Sequence, residues 1–285
     1  MEDDERSDLS SRAVPSVLRW REGRADFGPD ELAVEEPLEI RVRGRAISVT
    51  MRTPGHDEEL AAGFLLTEGV IASVGDISKI SACERNEEGN LVNVQLAPEV
   101  AVDFDKLTRH VFASSSCGLC GKATIEAVAQ RFSRVTSDVR FSAALIAGLP
   151  ARMRESQANF DRTGGLHAAA IFDEKGEMLV LREDVGRHNA VDKVLGRAVL
   201  NGWLSLDRHI LLVSGRSSFE IMQKSLAGSI PLVAAVSAPS SLAVEFAQKN
   251  GQTLVGFLRD SRMNVYAHPE RVLFNSVESR KCPTL

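Results

Sequence analysis

Cysteine is scarce: Cys83, Cys117, Cys120 and Cys282 are the only four in a chain of 285 residues. Four thiols cannot frame a chain of this length with disulfides, and a C-x-x-C pair in such a chain favours metal binding or catalysis. Basic excess is also missing. The formal net charge is −5, which gives no support for nonspecific nucleic-acid binding, built as that is on surplus lysine and arginine. No apolar run approaches the roughly 20 residues of a membrane span. The longest, 230–238, is strand-sized and carries Pro231. Residues 1–11 are acidic and polar, without the apolar core of a signal peptide. These absences lead us to expect a cytoplasmic protein with no membrane and no nucleic-acid partner. Two nucleotide fingerprints are lacking as well. Gly121-Lys122 has no first glycine at phosphate-loop spacing and is followed by Ala123 where a hydroxyl belongs, and no G-x-G-x-x-G occurs.

What is present suits a soluble globular chain: 44% hydrophobic and 26% charged residues, enough for one large domain or two packed lobes. Residues 1–28 are rich in Asp, Glu, Ser and Arg without periodicity, so a flexible tail is expected there, with structure beginning near Asp30. Strands are expected at 32–34, 38–42, 46–51, 77–82 and 91–96, with a hairpin turn at Gly44 and an amphipathic helix over 58–67. A helix over 142–156 is expected to break near Gly148-Leu149-Pro150. The second half then alternates: strands at 168–172, 178–182, 210–214, 232–236 and 253–258, helices at 189–200, 218–227 and 240–249. That rhythm predicts an α/β fold, with a largely parallel sheet covered by helices and a mainly β N-terminal portion. We divide the chain into a tail (1–28), an N-terminal lobe with the cysteine pair (29–140), an α/β lobe (141–275) and a C-terminal tail (276–285).

The stretch Ser114-Ser115-Ser116-Cys117-Gly118-Leu119-Cys120-Gly121-Lys122 runs into a segment with helical apolar spacing at Ile125, Val128 and Ala129. Cysteines at a helix N-terminus gain thiolate character from its unpaired N–H groups and dipole. Inert structure, half a zinc site, a redox pair and a sulfur carrier all compete for this motif. A zinc deaminase would pair H-x-E with P-C-x-x-C. His56-Asp57-Glu58 offers the first, but serine precedes Cys117 and the interval is long. A thioredoxin-like enzyme would carry its C-x-x-C after the first βα unit, not over a hundred residues in.

Three arginine-bearing loops follow expected strands, where open α/β sheets collect ligands. They are Arg182-Glu183-Asp184-Val185-Gly186-Arg187-His188-Asn189, Ser214-Gly215-Arg216-Ser217-Ser218 and Arg259-Asp260-Ser261-Arg262. Arg187, Arg216, Arg259 and Arg262 suit an anionic, phosphate-bearing ligand, because guanidinium forks match phosphate oxygens. His167 and His188 are the histidines closest to such a site, although each alone reads as structural.

Several whole segments resemble the formate dehydrogenase accessory sulfurtransferase (FdhD) family across about residues 30–273. They include Glu58-Glu59-Leu60-Ala61-Ala62-Gly63-Phe64-Leu65-Leu66-Thr67-Glu68-Gly69, Ser116-Cys117-Gly118-Leu119-Cys120-Gly121 and Thr163-Gly164-Gly165-Leu166-His167. Glu183-Asp184-Val185-Gly186-Arg187-His188-Asn189, Ser214-Gly215-Arg216 and Asn264-Val265-Tyr266 extend the match. The resemblance implies a cytidine-deaminase-like fold without deaminase chemistry, and a homodimer. It implies that sulfur from a cysteine desulfurase is carried to the bis-molybdopterin guanine dinucleotide form of the molybdenum cofactor, bound as substrate, for formate dehydrogenase. No metal of the protein's own is implied. By position, Cys117 would bear the persulfide, assisted by Cys120. Phe257-Leu258-Arg259-Asp260-Ser261-Arg262 matches the family's cofactor-binding segment, with Arg187, His188 and Arg216 as further contacts. Asp260 departs from the glycine expected there.

Overall fold

The computed structural model describes residues 10–82, 89–104, 107, 132–259 and 261–274. All four cysteines, the expected helix after them and Asp260 lie outside the described residues.

Strands β1 (Ser11–Arg21) and β2 (Arg24–Ala33) pair as an antiparallel ribbon. The tail expected through residue 28 is therefore corrected over residues 10–28. Its joint, Glu22-Gly23, has both residues at positive φ (49° and 83°), the two-residue turn whose twist matches paired strands. Arg43-Gly44 (φ 50° and 79°) joins β3 (Glu36–Val42) to β4 (Arg45–Arg52) in the same way. With β5 (Ile77–Ala82) and β6 (Leu91–Leu96) these form a four-stranded sheet in the order β4-β3-β6-β5. Helix α1 (Asp57–Thr67) lies between β4 and β5 in the chain.

After the short β7 (Phe141–Ser142) come α2 (Ala143–Glu155) and α3 (Ala158–Thr163). The chain then runs β8 (His167–Phe172), β9 (Met178–Asp184), α4 (Arg187–Leu200), β10 (Ile210–Val213), α5 (Phe219–Ala227), β11 (Leu232–Ala235) and α6 (Ser241–Asn250). It closes with β12 (Thr253–Arg259), β13 (Arg262–Ala267) and β14 (Val272–Leu273), the last pairing with β7. The expected break in α2 is absent. Pro150 sits inside a continuous helix, where burial of Ile146, Leu149 and Met153 on one face offsets the bond that proline cannot make.

The second sheet has six strands in the order β13-β12-β11-β10-β8-β9. Only β10–β11 and β11–β12 are parallel; β8–β9, β8–β10 and β12–β13 are antiparallel. The expectation of a largely parallel sheet is corrected to a mixed one. For two of the antiparallel pairs the reason is local, because the turns after β8 and β12 are too short for a parallel crossover, whereas β8 and β10 meet antiparallel from separated stretches of chain. Strand β13 was not foreseen at all.

Alternation along β8 splits the core. Ala169 and Ile171 join a cluster with Leu38, Ile40, Leu60, Leu65, Val92 and Val94 of the first sheet and α1, and with Val191, Val194 and Leu195 of α4. Ala168, Ala170 and Phe172 face the other way, onto Ile146, Leu149 and Met153 of α2. One apolar cluster thus draws on both sides of residue 140. At its centre α1 crosses α4 closely. A Cβ on Gly63 would stand 1.8 Å from the Asp192 carbonyl oxygen, and one on Gly196 would stand 1.7 Å from that of Glu59.

Candidate functional site

A cavity of about 670 Å³ lies where β10, β11 and β12 end, at Ser214, Val236 and Leu258-Arg259. This is the carboxyl edge at which parallel strands leave room for ligands. His167, the first residue of β8, contributes to it, and α2 and α3 supply the facing wall through Met153, Arg154, Gln157 and Phe160. The floor is mostly apolar.

Leu258 and Arg259 reach the cavity because β12 is irregular. Pairing with β13 shifts between Gly256 and Arg259, and Phe257 takes a left-handed φ of 52°. Phe257 is thereby left 38% exposed while Leu258 is fully buried and Arg259 stays exposed at the mouth. Arg259 and Arg262 are not loop residues, as expected from sequence, but a facing strand pair. Ser261 (φ 58°) and Arg262 are exposed at that hairpin's tip.

Ser214 continues β10 by a turn of its side chain: its Oγ accepts the Ala168 N–H at 2.9 Å. Gly215 follows, packed so that a Cβ there would lie 3.4 Å from His167 Nδ1 and 3.5 Å from Arg187 Cδ. Arg187 and His188 form the first turn of α4, two residues before the helix start expected at Asn189. The buried Nε of Arg187 has no hydrogen-bond partner among the described residues. His188 Nε2 stands 2.8 Å from Glu220 Oε2 and 3.4 Å from Ser218 Oγ. That hydrogen bond holds the Glu220 carboxyl below its usual range against the effect of burial. Both contacts fall on one ring nitrogen, so this is no Ser-His-acid relay, which needs the two nitrogens separately engaged. Arg216 is exposed to solvent. Burial, then the positive charge of Arg187 and His188, lowers the His167 pKa against the pull of Asp184.

Other residues of the arginine loops are structural. Asp184, fully buried, meets Lys193 Nζ at 2.7 Å, and that ammonium also donates to the Thr53 carbonyl at 2.8 Å. Arg182 forks onto Glu59 at 2.6 and 2.8 Å and has no hand free for a ligand. Glu183 accepts the N–H groups of Asn159 and Phe160 at 3.2 and 3.0 Å, bracing the start of α3. Burial raises its pKa while those N–H bonds oppose the shift. Asp57 is gripped by Arg52 at 2.9 and 3.0 Å, and Glu58 is exposed, so both acids of His56-Asp57-Glu58 are occupied elsewhere or turned to water.

The sequence reading missed the wall made by α2 and α3. Gln157 is 4% exposed and lines the cavity. Beside it Arg154, ion-paired with Asp161, lies over the Phe160 ring at 4.9 Å from its centroid. Phe160 gives the cavity a flat apolar side, Gln157 a donor and an acceptor, and Arg259 a cation at the rim. That set fits a planar heterocycle carrying an anionic group. No periodicity marks Gln157, since it falls between two helices.

Residues 33–273 match the FdhD/NarQ family. The chain belongs to that family. Its FdhD/NarQ relatives include proteins named sulfur carrier protein FdhD. That of Streptomyces coelicolor is 53% identical over 264 residues, covering 90% of this chain and 94% of the relative. That of Saccharolobus solfataricus is 40% identical over 259 residues, covering 90% and 96%. The crystal structure of a formate dehydrogenase accessory protein from Desulfotalea psychrophila is similar at a TM-score of 0.76 and 28% identity, covering 93% of this chain and all of that one. The FdhD/NarQ match takes in the cavity-lining residues and the C-x-x-C pair alike.

Proposed function

We propose that this protein is a sulfur carrier acting as a sulfurtransferase. It takes sulfur from a cysteine desulfurase as a persulfide on Cys117 and passes it to the bis-molybdopterin guanine dinucleotide cofactor destined for formate dehydrogenase. The observation that carries the reading is the cavity. Its wall of Gln157 and Phe160, with Arg259 at the rim, is suited to one nucleotide end of that substrate. Relatives named as sulfur carriers, and a similar structure named as a formate dehydrogenase accessory protein, support the same chemistry. The cytidine-deaminase-like topology is supported by the six-stranded sheet, in which β8, its first strand in chain order, lies between its antiparallel hairpin mate β9 and the parallel run β10-β11-β12. The protein works in the cytoplasm as a homodimer.

In the loading step the Cys117 thiolate attacks the outer sulfur of the desulfurase persulfide. A Cys117 S–S bond forms, the donor S–S bond breaks, and the desulfurase thiolate leaves. In delivery the Cys120 thiolate attacks Cys117 Sγ. The outer sulfur departs as sulfide to the substrate's metal, a Cys117–Cys120 disulfide remains, and a dithiol reductant resets it. The two electrons gained by the sulfur come from the two cysteines.

Intact mass of the protein after incubation with a cysteine desulfurase and cysteine tests the loading step. A gain of one sulfur, reversed by reductant and absent in Cys117→Ala, is expected. An unchanged mass in the wild-type protein would reject the carrier reading, and full enzyme activation by Cys117→Ala would leave only cofactor binding.

A further inference from the structure

The β1–β2 ribbon stands apart from both sheets and almost wholly outside the family match, which begins at Ala33. It is anchored at its root. Val34 N–H donates to the Ser10 carbonyl at 3.0 Å, Ser10 Oγ donates to Asn159 Oδ1 at 2.9 Å, and Arg162 pairs with Glu31 at 3.5 Å. Toward the tip its two faces differ sharply. Leu18 opposes Phe27 and Trp20 opposes Ala25, so these four side chains share one face. Arg19 opposite Asp26, and Arg21 opposite Arg24, share the other.

The apolar face points outward. Leu18 is 62% exposed, and Trp20 and Phe27 are each 73% exposed. A lone two-stranded ribbon is marginal in water, and one that also exposes its apolar face loses the burial that would hold it. We propose that a second copy of this chain covers this face, the two ribbons packing face to face about a two-fold axis.

Three features favour a second copy as the occupant. Toward the tip the face holds only uncharged side chains, so two identical patches can meet about a two-fold axis without opposing like charges. Ribbons stacked as sheets, about 10 Å apart, let the rings interdigitate. The area suffices: covering a large aromatic removes roughly 150–250 Å² from water. Two copies of Trp20 and Phe27, with Leu18 beside them, therefore bury on the order of 1,000 Å², where specific interfaces begin. The charged residues of the other face stay in water, so no ion is desolvated.

This inference gives an interface to the homodimer proposed above and is independent of the sulfur chemistry. Sedimentation equilibrium of the full chain, wild type against Trp20→Ser/Phe27→Ser, tests it. A wild-type dimer and a monomeric double variant with unchanged far-UV circular dichroism are expected. In a Trp203→Phe background, acrylamide quenching of the remaining Trp20 reports the face directly, and shielding that is lost on dilution is expected. A dimer that survives the double substitution, or Trp20 freely quenched in the dimer, overturns the interface alone. A monomeric wild type overturns the dimer with it, and shielding of Trp20 only by lipid vesicles would assign the face to a membrane surface instead.

Discussion

Gln157 and Arg259 show how differently two residues of one cavity announce themselves. Arg259 stands in a run of arginines after a strand, where charge type and position both suggest an anion. Gln157 carries no such mark, and its meaning comes from its place in the cavity wall at 4% exposure. Replacing it with leucine removes the ligand's donor and acceptor but leaves an apolar filler. We expect Gln157→Leu to weaken guanosine diphosphate binding by about tenfold, since a hydrogen bond in a dry site contributes about 1–2 kcal/mol. The urea midpoint should hold, because leucine fills nearly the same buried volume. Calorimetric titration checks the first and urea melts the second. Equal binding by the variant would detach Gln157 from the site.

Among the elements, the pairing of α1 with α4 decides how closely the two sheets approach. Gly63 and Gly196 are both helical glycines at a crossing where neither can take a side chain. Their usual cost in a helix, about 1 kcal/mol against alanine, is offset here by backbone contact. Gly196→Ala should improve intrinsic helicity yet destabilise the fold by about 3 kcal/mol or more, because its methyl would overlap the Glu59 carbonyl. A lowered urea midpoint is the expected reading, and a raised one would mean the helices can separate freely. The same scale explains α2. Proline inside its pattern signals a break, but three buried apolar residues on one face override that signal. Sequence spacing shows the proline and cannot show what the helix packs on.

In the whole molecule, the two sheets share an apolar cluster and a polar joint. Asp184 and Lys193, both at most 1% exposed, tie the end of β9 and the middle of α4 to the segment after β4 through Thr53. Lys193→Met keeps the volume but leaves Asp184 without its counter-charge. A loss of about 3–5 kcal/mol is expected from the stranded carboxylate, with Asp184→Asn/Lys193→Met recovering part of it. Denaturant melts of the three proteins make the comparison. A single variant as stable as wild type would show that the pair holds nothing together.

Much was determined by the sequence itself. Period-2 and helical apolar spacing located most strands and helices of the second half, though not α3 or β13, and the Gly44 turn and α1, because local sterics and one-sided burial act within a few residues of chain. The ordered motifs carried the family. Only the tertiary structure decided that the sheet is mixed, that residues 10–28 form a ribbon, that Arg182 and Asp184 are joints, and that Gln157 faces a cavity. Strand direction depends on which neighbours meet, and a polar group's role depends on whether the surrounding fold satisfies it. Both are properties of contacts between distant residues, which no local pattern contains.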